Sequence, residues 1–452
     1  MRERLRTTFR SLAVRNFRLF AAGQIVSVAG TWMMVVAQDW LVLSMTGDSA
    51  TALGVVTALQ FAPMLVLTLY GGRLADRYDK RLLLTLCNLA SGAYAVVLAA
   101  LVLAGALELW HLYLFAFCLG TVNSVEVPTR MSFVSEMVGP ELVPNASALS
   151  AAYFNLARVI GPALAGLVIA AWGTGPVMVL NAASYLATVT ALRMMRPAEL
   201  LRGGPPKGRV RVVDGLRYTR SRPDLLLCLL LVALVSLFGL NFQLTIPLLA
   251  RTVFDADAAS FGLLTTAFAA GSLLAAFATT ARRGRPSSRT VTGAALAFGV
   301  LETATGWAAG FGEAVVLLAL TGFASIWFAQ AANHRVQLGC DPRYRGRVLA
   351  LYTLILQGTT PLGALLVGRL AADFGARSAL YGGGLASVAA ALCLLLAGRT
   401  RAFGERPGNA VAADPIAVGA RPENGTVEVK GGDGGAEERI SRSTSSRRRA
   451  IE

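Results

Sequence analysis

The chain has 452 residues, 55% of them hydrophobic and 15% charged, with a mean hydropathy of +0.57. So few charges among so many apolar residues exclude an ordinary water-soluble domain, and a net charge of +16 then has to be explained by where the basic residues lie. No P-loop, catalytic triad or metal-ligand cluster is legible, and Cys87, Cys118, Cys228, Cys340 and Cys393 show no CxxC spacing, so the chain is not expected to be an enzyme, a zinc protein or a disulfide scaffold.

Twelve apolar runs follow one another: 17–44, 50–72, 82–105, 111–134, 147–172, 176–195, 225–250, 259–281, 290–311, 314–336, 347–371 and 378–398. A bilayer core of ~30 Å needs ~20 such residues in helical form, and in hydrocarbon only helices or closed barrels satisfy the backbone. Runs this long predict an all-α integral membrane protein of twelve transmembrane helices. The first run is too long for a signal h-region and has no small-residue cleavage site, so it is expected to remain as the first helix.

The basic residues fall in alternate connections. The leader holds Arg2, Arg4, Arg6, Arg10, Arg15 and Arg18; the second connection holds Arg73, Arg77, Lys80 and Arg81; the eighth holds Arg282, Arg283, Arg285 and Arg289. The central connection, roughly 196–224, is richest, and the intervening ones are nearly bare. By the positive-inside rule both termini are expected in the cytoplasm and the chain in the cell membrane. The charge is then topological, with membrane lipid rather than nucleic acid as partner.

The central connection divides six runs (1–195) from six (225–398). Val212, Val213 and Leu216 fall on one face among arginines, which suits either a short amphipathic helix on the membrane surface or a disordered basic linker. A shift of 202 residues brings Gly120 onto Gly322, Gly166 onto Gly368, and Trp172-Gly173 onto Phe374-Gly375, so the halves are expected to be pseudo-symmetric bundles. Residues 399–452, rich in Gly, Glu, Ser and Arg, are expected to be a disordered tail.

In the second connection the chain reads Gly72-Arg-Leu-Ala-Asp76-Arg77-Tyr-Asp79-Lys80-Arg81. This resembles the major facilitator superfamily signature G-x-x-x-D-R-x-G-R-R, with Asp79 where the pattern has glycine. The carboxylate of Asp76 is expected to draw on a nearby helix N-terminus. The resemblance implies that Asp76 and Arg77, with Gly72, Lys80 and Arg81, gate the cytoplasmic side. In the fifth run Gly161-Pro162-Ala-Leu-Ala165-Gly166 resembles the G-P-x-x-G-G motif of the family's proton-coupled exporters; Pro162 can bend the helix, and the small residues admit a neighbouring backbone. With Asn123 to Arg130, Asn155 and Arg158, the chain is similar to the enterobactin-exporter-like branch. That implies two six-helix bundles, a proton gradient in place of any cofactor, and export of a siderophore, drug or secondary metabolite. A proton-coupled importer and a transport-inactive receptor are the alternatives.

A charge at a helix centre costs roughly 2.5–3.5 kcal/mol on translocon scales, so each one needs a reason. Glu126 and Arg158 lie at similar depth on adjacent runs and are expected to pair across the cavity, either coupling protons or pinning two helices; Arg130, four residues on, offers Glu126 a competing partner. Glu302, midway along the ninth run, reads as a protonatable or substrate-facing carboxylate or as a protonated structural one. Asp39, far enough along the first run to reach the outer interface beside Gln38 and Trp40, reads as a further proton-coupling candidate or as part of an interfacial belt. Gln24, Gln60, Asn123, Asn155, Asn241, Gln330, Asn333 and Gln357, with Phe61 and Trp327, would suit an amphipathic organic substrate, though each polar one alone also serves as interhelical glue. Nothing in the chain demands more than a monomer.

Overall fold

The computed structural model describes residues 9–201, 212–280 and 284–397, and all regular structure among them is helical. The 399–452 tail, Arg282 and Arg283 lie outside the described residues. The first half comprises α1 (Arg15–Thr46), α2 (Ala50–Arg77), α3 (Lys80–Leu103), α4 (Leu109–Val138), α5 (Val143–Trp172) and α6 (Thr174–Met194). After α7 (Val212–Arg220) come α8 (Pro223–Phe238), α9 (Phe242–Leu248), α10 (Ala258–Thr280), α11 (Ser288–Trp307), α12 (Phe311–Gly339), α13 (Arg345–Gly358), α14 (Thr360–Phe374) and α15 (Ala376–Ala397).

Among the described residues ten spans are long and apolar enough to cross a membrane. The two other long helices, α4 and α11, stand where the fourth and ninth runs were expected but are more polar. α4 carries Glu126, Arg130 and Glu136, and α11 is diluted by Gly and Thr. Two expected helices are broken. The 225–250 run divides at Gly239–Asn241 and continues through α9 into a π-helical turn at Leu249–Val253; the 347–371 run divides at Thr359, ahead of Pro361. Proline lacks the N–H that would continue the ladder, which accounts for the second break.

The 202-residue echo is visible as equivalent contacts. A side chain on Gly120 (α4) would collide with the Gln60 carbonyl of α2, and one on Gly322 (α12) with the Phe268 carbonyl of α10. A Cβ on Gly166 (α5) would lie 3.1 Å from the Gly262 Cα of α10, and one on Gly368 (α14) 3.3 Å from the Gly54 Cα of α2. Gly173 and Gly375 end α5 and α14 at φ +80° and +87°, the left-handed region that favours glycine. The α5–α10 and α2–α14 crossings are therefore twin seams between the halves.

Helices alternate in direction, so one end of the bundle gathers the basic connections, here termed the basic face. α7 is a helix, not an unstructured linker, and it packs on protein as well as on any surface beyond it. A Cβ on Gly215 would sit 2.9 Å from the Arg347 carbonyl, and Tyr218 stacks on Tyr344 with centroids 4.5 Å apart. At the same face Asp224 accepts hydrogen bonds from Arg222 (3.1 Å) and Arg285 (2.9 Å). The bond to Asp224 holds the Arg222 guanidinium above its ordinary pKa.

Packing between the halves lies mainly away from the basic face. Leu244 and Leu248 of α9, with Val367 and Ala371 of α14, share a core with Met34, Leu43 and Leu53. Near the basic face, Phe17, Phe20, Leu84, Phe133 and Leu192 form a cluster drawn from the first half alone.

Candidate functional site

A cavity of about 270 Å³ lies between the halves. The first half contributes Trp32, Asp39, Thr57, Phe61 and Arg158; the second contributes Asn241, Phe242, Gln243, Phe261, Phe268 and Ser325 among others. Trp32 and Arg158 are midway along α1 and α5. Asp39 follows Trp32 on α1 and so lies about 10 Å further from the basic face, at ~1.5 Å per residue. Asp39 is buried and lines the cavity, next to Trp40, which lies under Arg251.

The expected Glu126–Arg158 pair is absent. Glu126 instead takes the local partner, Arg130, at 3.0 Å, a pairing that one turn of helix supplies without moving a neighbour. Arg158 lies over the rings of Trp32 (5.4 Å) and Phe268 (5.8 Å), and no described carboxylate is within ion-pair distance of it. Aromatic faces stabilise a guanidinium by roughly 0.5–2 kcal/mol without neutralising it. The cavity thus holds one cation cradled by rings from both halves and one buried acid.

The helix-5 residues sit where backbones meet. Gly161 faces Trp32 and Ala29 of α1, and a Cβ on Gly262 would lie 2.6 Å from the Pro162 carbonyl. The gating stretch differs from the loop expected. Gly72 to Arg77 complete α2, Lys80 and Arg81 begin α3, and only Tyr78 and Asp79 lie between. Asp79 has φ −60° and accepts from the Leu82 N–H, so the turn needs no glycine there, and the N-terminal capping assigned to Asp76 falls to Asp79. Lys80 pairs with Glu136 of α4, and Arg81 donates to the Leu192 and Arg193 carbonyls of α6. Asp76 and Arg77 are exposed. Arg77 lies over Tyr78, and Asp76 has no partner among the described residues.

At the face opposite the basic one, Arg251 donates to Asp48 at 2.9 Å and lies over Trp40 at 4.7 Å, while Trp40 stacks on Phe261. This clasp joins the halves at that face. An ion pair about two-thirds buried together with a cation–π contact contributes about 1–2 kcal/mol. Asp48→Arg or Arg251→Asp is accordingly expected to raise the population opened at that face roughly 5- to 30-fold. The Asp48→Arg/Arg251→Asp exchange should restore closure, as read by spin-label distances across the face.

Of the residues expected in the cavity, Asn241 and Phe61 line it, and Gln60 reaches Gln243 at 3.4 Å across the halves. Gln24 is buried within the first half, Asn155 donates to the Ala151 carbonyl, Trp327 stacks on Phe323, and Gln357 is exposed. Asn123, Gln330 and Asn333 are half-buried and outside the cavity lining. Trp32, Thr57, Gln243, Phe261 and Phe268 were not anticipated; a turn-spaced Trp32–Asp39 face on α1 was the available signal. Glu302 is buried in the second half and is not among the residues that line the cavity.

Halves related by a repeat, meeting at twin glycine seams around a shared cavity, define a multi-pass membrane transporter of the major facilitator fold. The bacterial homologue of the human lysosomal transporter Spinster has the same fold, with a TM-score of 0.65, 17% identity and coverage of 86% of this chain and 96% of that one. Residues 6–433 match the transmembrane secretion effector family, and the chain belongs to that family. It is 26% identical to the enterobactin exporter of Salmonella typhimurium over 402 residues, 86% of this chain and 94% of that protein. It is 24% identical to the staphyloferrin A transporter of Staphylococcus aureus over 266 residues, spanning 57% of this chain and 65% of that relative.

Proposed function

We propose that the chain exports a small amphipathic organic molecule, a siderophore, drug or secondary metabolite, from the cytoplasm in exchange for protons. The observation that carries this reading is the cavity between the halves, apolar and aromatic over most of its lining and holding Asp39 and Arg158. Apolar walls with a few placed polar groups suit such a ligand. The basic face is cytoplasmic on the positive-inside rule, with both termini there. The chain acts as a monomer, its halves rocking about the twin seams.

Asp39 is the proton exchanger. It lies nearest the clasped face, where protons enter once the clasp opens. A proton on Asp39 displaces a substrate donor group outward; its loss on the cytoplasmic side readies the carboxylate for the next molecule. Arg158, held by rings from both halves, keeps a fixed positive potential in the same cavity, deeper toward the basic face. Glu126 and Arg130 line the inner route as a second exchangeable pair, and Asp76 and Arg77 latch the cytoplasmic side when the clasp is open. Their exposure here suits a state closed on the far side only.

Whole-cell accumulation tests the direction. Expression should lower the cellular content of a macrolide or a siderophore, and a protonophore should restore it. A rise on expression would establish import, and no change with any compound would establish a non-transporting role.

A further inference from the structure

Glu302 has no function in the cavity just described, yet it is 1% exposed on α11, and its Oε2 has no hydrogen-bond partner. Its carboxyl faces the break between α8 and α9. A Cβ on Gly239, within that break, would lie 2.9 Å from Glu302 Oε2 and 2.8 Å from the Ser387 hydroxyl of α15. A Cβ on Gly383 of α15 would lie 2.6 Å from both Glu302 Oε1 and the Phe238 carbonyl, the last of α8. Two glycines from two elements thus leave room for one carboxyl against an interrupted backbone. Asn241 fastens the same break by donating to the Leu237 and Phe238 carbonyls.

We infer that Glu302 is a proton-binding site, separate from the transport cavity, that sets the bend between α8 and α9. A neutral carboxyl fits this enclosure; a charged one without a partner does not. The surrounding elements offer no countercharge at that level. α8 and α9 carry no charged residue between Asp224 and Arg251. On α12 the nearest titratable groups are Glu313, His334 and Arg335 at its ends, and on α14 the largely exposed Arg369 is paired with Asp373. On α15, Arg377 and Tyr381 both donate to the Gly306 carbonyl, one turn further on. Cys228 on α8 and Cys393 on α15 lie toward the basic face. Loss of the proton therefore requires Glu302 to reach water or a donor, and the interruption of the helical ladder beside it is Gly239–Asn241. Movement there swings α9, which carries Phe242 and Gln243 of the cavity and leads directly to Arg251 of the clasp.

The inference deepens the transport reading but is tested without substrate or gradient, so either can fail alone. The protein in lipid bilayers is titrated toward alkaline pH, with the protonated-carboxyl C=O stretch followed by infrared difference spectroscopy. Distances between spin labels at Met45→Cys and Thr252→Cys are measured in parallel, in an Asp39→Asn background that removes the cavity acid. The expected result is a protonated-carboxyl band at neutral pH that is missing in Glu302→Gln, and a label distance that lengthens on alkalinisation in the parent and stays short in Glu302→Gln. Gly383→Ala, which presses on Glu302 and on the Phe238 carbonyl together, should lengthen the distance already at neutral pH. A band unaffected by Glu302→Gln, a pH response that survives it, or a Gly383→Ala variant with the parent distances would each overturn the assignment.

Discussion

Asp39→Asn is expected to abolish uphill, gradient-driven export while leaving substrate exchange across the membrane within a few-fold of the parent. Asparagine keeps the size and hydrogen-bonding capacity of the aspartate, so the cavity stays filled, but it neither accepts nor gives up a proton in the working range. Binding without coupling is the outcome, and reconstituted vesicles separate the two: accumulation driven by an imposed pH difference should fall at least about tenfold, whereas counterflow with equal pH on both sides persists. Arg158→Gln should weaken both, because it removes the cation between Trp32 and Phe268 and with it a contact joining the halves. Glu126→Gln should cost much less than Asp39→Asn, since Glu126 meets Arg130 on its own helix. Equal losses from Glu126→Gln and Asp39→Asn would place the coupling on α4 instead.

The second large effect is on folding. Gly120→Val and Gly322→Val should each destabilise by about 1–3 kcal/mol or more, because in each case the added side chain meets a backbone carbonyl that cannot rotate away. The two positions are equivalent under the repeat, so the losses should be similar, visible as parallel falls in monodisperse yield and in thermal midpoint in detergent. Gly310 and Gly312, with open space beside them, should accept alanine with little change. A strong loss at Gly120 with none at Gly322 would mean that the halves do not carry load alike.

Much of the fold is legible in the chain because the bilayer imposes it: length and apolarity locate the helices, and alternation of arginine locates the basic face. The breaks at Gly239–Asn241 and Thr359 are less legible, since a discontinuous helix and a continuous one share one apolar run. The site is less legible, for a specific reason. Depth along a helix can be counted from sequence, but azimuth cannot, so Glu126 and Arg158 matched in height yet take different partners. The clasp was out of reach altogether, as Asp48 and Arg251 come from connections that hydropathy treats only as boundaries.

The lopsided burial between the halves has a thermal consequence. Leu244, Leu248 and Val367 pack against Met34, Leu43 and Leu53 at the clasped side, and opening there would put these faces in a water-filled crevice instead of lipid, so their contact is a hydrophobic burial that weakens on cooling. Lowering the temperature should therefore tip the resting population toward molecules gaping away from the arginine-rich side, a cold-induced drift unlike that of a gate closed by charge alone.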